Sequence, residues 1–102
     1  MSWNIWVDAT ARTTVYERNA TFNYVPIFRE ALGCEFRDLD GQKGAEVLKR
    51  LRRAVQDITK HPERYEALEP ENGWGTVEDA LAVLREMLQT CEAYADSEIH
   101  VC

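Results

Sequence analysis

Glu71-Asn72-Gly73-Trp74-Gly75-Thr76, with the run over residues 77–95 that it launches, decides how the rest of this chain is read. Two glycines around a tryptophan make a tight turn that accepts backbone angles most residues avoid. Thr76 stands where a helix N-cap belongs, and Asp79 sits where the partner residue of a capping box would be. Beyond it Val77, Ala80, Leu81, Leu84, Met87, Leu88, Cys91, Tyr94 and Ala95 recur at helical steps and lay one broad apolar stripe along a helix. Arg85, Glu86, Gln89 and Glu92 take the opposite side.

Such a stripe needs a facing surface, and residues 45–60 supply it. Val47, Leu48, Leu51, Ala54, Val55 and Ile58 fill one arc, while Lys49, Arg50, Arg52, Arg53 and Lys60 fill the other. Asp38-Leu39-Asp40-Gly41-Gln42-Lys43-Gly44 ahead of it is turn chemistry. Behind it His61-Pro62 breaks the helix, and a short helical turn follows with Tyr65 and Leu68 facing inward. Upstream, residues 25–33 read as a short helix with Pro26 in its first turn, Asn23 as a cap and Gly33 as a left-handed stop.

The two ends alternate as strands do. Trp3, Ile5 and Val7 share one face, with Asn4, Trp6 and Asp8 on the other. Residues 13–17 are β-branched and aromatic and form a second strand, reached by a turn at 10–12. Trp6 and Tyr16 are assigned to the outer face, as candidates for a protein interface. Residues 98–102 alternate again, with Ile99 and Val101 inward. Pairing the ends gives an α+β fold over a single domain, 1–102. It has a small three-stranded antiparallel sheet, the N-terminal hairpin plus the C-terminal strand, packed on two main amphipathic helices and one or two short ones.

Composition sets the class. The chain has 102 residues, 45% hydrophobic and 29% charged, as expected of one soluble globular domain. The N-terminus lacks a basic region followed by an apolar one, and no apolar run approaches the roughly eighteen residues that span a bilayer. A cytoplasmic protein without a membrane partner is the expectation. Cys34, Cys91 and Cys102 lack the paired spacing of a zinc site or redox dithiol, and are read as free thiols. The net charge of -6 is uneven. Residues 1–60 hold ten Lys/Arg against eight Asp/Glu, whereas residues 61–102 hold two against ten. That acidic half argues against direct nucleic-acid binding.

Several pieces taken together resemble a family of small uncharacterised proteins of actinobacteria, phages and prophages. They are the opening Met1-Ser2-Trp3-Asn4-Ile5-Trp6-Val7, Phe22-Asn23-Tyr24 followed by Phe28, Leu39-Asp40-Gly41 with Gly44, Asn72-Gly73-Trp74-Gly75 leading into a helix, and the closing strand. The resemblance covers nearly the whole chain. Many members have a longer, more glycine-rich N-terminal hairpin, shortened here, so whatever that hairpin does is not carried over. The resemblance implies a small α+β domain in a phage or mobile-element context, and no activity.

Candidate sites follow from side-chain chemistry. Asn23, Tyr24, Asn72 and Trp74 are amide and aromatic groups on helix-opening loops, able to hold a planar or anionic ligand. The competing reading is architectural: caps, a turn and a tryptophan that closes the core. Lys49, Arg50 and Arg53 could receive a phosphate or an acidic protein surface, or form only the solvated side of their helix. His61 and His100 stand beside no nucleophile in the sequence, and no metal-ligand, phosphate-loop or nucleophile-elbow motif is present. No catalytic residue, metal or cofactor is assigned. The expectation is a small non-catalytic binding protein, a homo-oligomer candidate, that engages a host protein as an inhibitor or accessory factor or sequesters a small ligand. Its alternatives are a small enzyme with a pocket at Asn23, Tyr24, Asn72 and Trp74, and an acidic mimic of nucleic acid that blocks a DNA-binding partner.

Overall fold

The computed structural model describes residues 1–9 and 13–102, so the turn expected at 10–12 lies outside the described residues. Strands β1 (Ser2–Ala9), β2 (Thr13–Thr21) and β3 (Glu98–Val101) form one antiparallel sheet of order β2-β1-β3. Helices α1 (Val25–Leu32), α2 (Gly44–Lys60), α3 (Pro62–Glu66) and α4 (Val77–Ala93) complete the expected α+β architecture. The N-terminal strand is central because it pairs with the hairpin strand on one side and with the chain's last strand on the other.

The alternation in β1 does what its period requires. Trp3, Ile5 and Val7 are buried and join Ile99 and Val101 of β3 in a core shared with all four helices. Trp3, Phe22, Phe28 and Phe36 form an aromatic knot at one end, with ring centroids 4.6–5.8 Å apart. In α2, Val47, Leu51, Ala54 and Ile58 are buried against Ala80, Leu84, Met87 and Cys91 of α4. A fully buried Leu or Ile contributes about 1.5–3 kcal/mol, so this helix pair is a principal stabilising contact. Val83 is buried too, although the stripe omitted it.

Four local expectations are corrected. The second strand runs to Thr21 rather than ending near Glu17, and Tyr16 is not on the outer face. Val7 lies opposite Tyr16, and residues directly opposite in an antiparallel pair point the same way. An irregularity at Val15 then restores Thr14 opposite Asp8 on the outer side. Asn23 does not cap α1. A 3-10 turn, Phe22–Tyr24, feeds directly into the helix, and Thr21 accepts the Asn23 N–H at 3.2 Å. Finally, α4 ends at Ala93, leaving Tyr94 45% exposed rather than in the apolar stripe.

The early end of α4 has a purpose in the α2 start. The Ser97 and Ala95 carbonyls accept the Gly44 and Ala45 N–H groups at 2.8 and 2.9 Å, capping α2 with backbone. A Cβ at Gly44 would lie 2.7 Å from Ser97 Oγ and 2.9 Å from the Tyr94 carbonyl, so the approach needs glycine. The same stretch closes the outer edge of β3. Gly41 donates to the Ile99 carbonyl, Ile99 donates to the Gln42 carbonyl, and Asp40 Oδ1 accepts from Val101 N–H at 2.9 Å.

Candidate functional site

The acidic end of the molecule is built from α3, the connection over residues 67–76 and the start of α4. Asn72 Oδ1 accepts the Trp74 N–H at 2.9 Å, and the Pro70 carbonyl accepts from Gly73, whose φ is +74°. This asparagine turn holds the loop so that Trp74 projects outward, 72% exposed. The tryptophan therefore does not close the core. Gly75 does the packing instead: a Cβ there would lie 2.7 Å from Asn23 Cβ, and its φ is +108°. Loop and 3-10 turn thus meet backbone against side chain, which brings Asn23 to the foot of the Trp74 loop.

Next to this loop α4 begins with two of its first N–H groups held by side chains. Thr76 Oγ1 accepts the Asp79 N–H at 3.2 Å, as its position as N-cap requires, and Glu69 Oε2 accepts the Val77 N–H at 2.7 Å. Beside them runs an open groove of about 570 Å³ between the end of α2, α3 and the start of α4. Ile58, Val77 and Leu81 give it an apolar floor, and Glu66, Glu69 and Glu78 line it with carboxylates. No Lys or Arg lines it. Residues 61–79 carry six Asp/Glu and one Arg, so acids predominate around it, although Arg85 donates to the lining Thr59 Oγ1 at 3.4 Å.

Asn23 meets the Trp74 loop at Gly75, but Asn23, Tyr24, Asn72 and Trp74 line neither this groove nor the clefts beside Trp3 and Phe36 and beside Tyr94 and Ser97. Tyr24 is buried, and burial followed by the charge of Asp79 raises its hydroxyl pKa. On the basic arc of α2, Arg50 donates to the Leu32 carbonyl at 2.7 Å and Arg52 pairs with Glu92 at 3.3 Å. Lys49 and Arg53 remain exposed. Arg50 is thereby committed to holding the end of α1, which separates it from the other two as a ligand group.

Trp6 is on the outer sheet face, but half-buried and stacked on His100, ring centroids 4.9 Å apart and 13° between planes. His100 Nε2 lies 3.4 Å from Asp8 Oδ2. Tyr16 instead reaches α4, donating to Glu86 Oε1 at 2.8 Å, and Arg18 donates to Glu86 Oε2 at 2.5 Å. Burial, then the bond to Glu86, pushes the Tyr16 hydroxyl pKa well up. Burial opposes the charge on Glu86, but the hydrogen bonds from Arg18 and Tyr16 outweigh it and hold the carboxyl below its usual range. Elsewhere Tyr65 donates to Asp57, and burial first, that bond second, raise its pKa to about 12. Among the described residues no group of three or more His, Cys, Asp and Glu side chains is placed to hold a metal ion, and no helix is long and apolar enough to cross a membrane.

The groove is the feature that the sequence reading missed. Its carboxylates come from α3, the following loop and α4, and its floor comes from residues assigned to the helix stripes. The one legible signal was the density of glutamate after Pro62. Compared with known protein families, curated proteins and solved structures, the chain matches none.

Proposed function

We propose that this chain is a small binding protein that acts by docking on another protein through its acidic end, with Trp74 as the anchor. The observation that carries the reading is the tryptophan itself. A side chain of this size exposed to 72%, on a loop held by its own asparagine turn and by Gly75 against Asn23, is a rigid apolar contact presented to solvent. Tryptophan is among the residues that most often dominate binding energy at protein interfaces, because it buries a large area at little entropic cost. A mobile-element setting, in which an accessory factor engages a host protein, is part of this proposal and rests on the sequence resemblance alone. The test is a photocrosslinking side chain at Glu71, exposed on the same loop, in the producing cell, with Trp74 left in place. The reading predicts a discrete covalent adduct with one protein, and none from the same probe at Glu17 on the outer sheet face. Equal adducts at both positions, or none at Glu71, would refute it.

A further inference from the structure

The groove beside Trp74 has a chemistry of its own, and we infer that it receives a Lys- or Arg-bearing peptide segment of the protein partner. This assignment rests on the docking reading and specifies the partner's surface. An anionic occupant is disfavoured by the lining: Glu66, Glu69 and Glu78 bring three carboxylates to the groove, and Thr76 and Glu69 already accept two of the N–H groups at the helix start, those of Asp79 and Val77. Glu69 keeps its other oxygen. The carboxylates of Glu66 and Glu78 have no side-chain partner among the described residues, and both residues are exposed.

The floor decides between a free cation and a side chain on a peptide. Ile58 and Val77 are buried residues whose surfaces form the bottom of the groove, with half-buried Leu81 beside them. A lysine or arginine lays its methylene stem along such a floor and sends its charged head to carboxylates at the rim. At about 570 Å³ the groove accommodates one or two such side chains, not a whole helix. A neighbouring apolar residue of the same segment would then reach the exposed Trp74 loop, while a second cation could lie over the indole face. Residues 61–79, with six acids to one base, steer the basic segment toward this end before contact.

The experiment is an amide NMR titration of the full chain with a capped nonapeptide of repeating Lys-Leu-Arg, alongside spermine as a cation without a peptide. The expected result is saturable perturbation centred on Ile58, Val77, Glu78 and Leu81, with spermine at least about tenfold weaker. Glu66→Gln with Glu78→Gln should weaken the peptide about tenfold. Glu17→Gln with Glu30→Gln, the same charge change on other faces, should weaken it less than about twofold. Equal losses in the two double variants, perturbations centred elsewhere, or spermine binding as tightly as the peptide would overturn the assignment. A failed peptide titration together with an adduct from the Glu71 probe removes the groove assignment alone; failure of both removes the docking reading as well.

Discussion

Replacing Gly75 with alanine tests the junction on which the Trp74 loop stands. The glycine has φ of +108°, and a left-handed backbone costs an L residue about 1–2 kcal/mol. The added methyl would also sit 2.7 Å from Asn23 Cβ and 3.2 Å from its carbonyl carbon. Forcing volume into a close-packed contact adds about 1–3 kcal/mol. The expected loss is therefore about 2–5 kcal/mol, a large part of the roughly 5–15 kcal/mol that stabilises an ordinary domain. Urea unfolding followed by far-UV circular dichroism would read it as a lower midpoint at unchanged slope. The two contributions separate in a double-mutant cycle. Asn23→Gly removes the obstructing Cβ, so Gly75→Ala should cost less in that background, leaving the backbone strain behind. A Gly75→Ala protein within about 0.5 kcal/mol of the parent, or strict additivity with Asn23→Gly, would refute the argument that these two residues hold the loop.

Three further outcomes are expected. Glu86→Gln should destabilise by about 1–2 kcal/mol near neutral pH through its weakened bonds to Tyr16 and Arg18. Because the folded state lowers the Glu86 pKa, its stabilisation is complete above the ordinary carboxylate range and is lost as pH falls through the lowered folded value, so parent and variant should converge at the acid end of unfolding curves taken across that range. Thiol labelling should find exposed Cys102 fast and Cys34 slower. Cys91, buried and with its pKa raised to about 11 by burial and then by Glu92, should react only on unfolding; fast labelling of all three would contradict the packing of α4. Trp74→Ala should leave the stability to urea within about 0.5 kcal/mol of the parent while abolishing the partner adduct of the probe at Glu71; a large stability loss would mean that the indole packs on the protein.

The parts of the fold legible in the sequence were those with a strong period. β1 alternates cleanly, α2 and α4 carry continuous stripes, and Thr76, Gly33 and Pro62 mark boundaries by chemistry that needs no tertiary context. What escaped depended on contacts between distant segments. Tyr16 changes face because pairing with Val7 sets its direction, and no property of residues 13–17 encodes that register. Tyr94 leaves the stripe because the backbone around it is drawn to the start of α2. Glu86 looked like a solvated helix residue until β2 brought Tyr16 and Arg18 to it. The candidate site was partly visible: Asn72 and Trp74 define its loop, whereas the groove arises only when three separate segments converge.

The position of β1 between two partners from far-apart stretches has a consequence for synthesis. As the nascent chain leaves the ribosome, β1 and β2 emerge well before β3, with one flank of β1 still open. The α2 start likewise waits for the carbonyls of Ala95 and Ser97 that close it. Until residues 95–101 clear the exit tunnel, the growing polypeptide carries an unzipped ribbon and an incompletely capped rod.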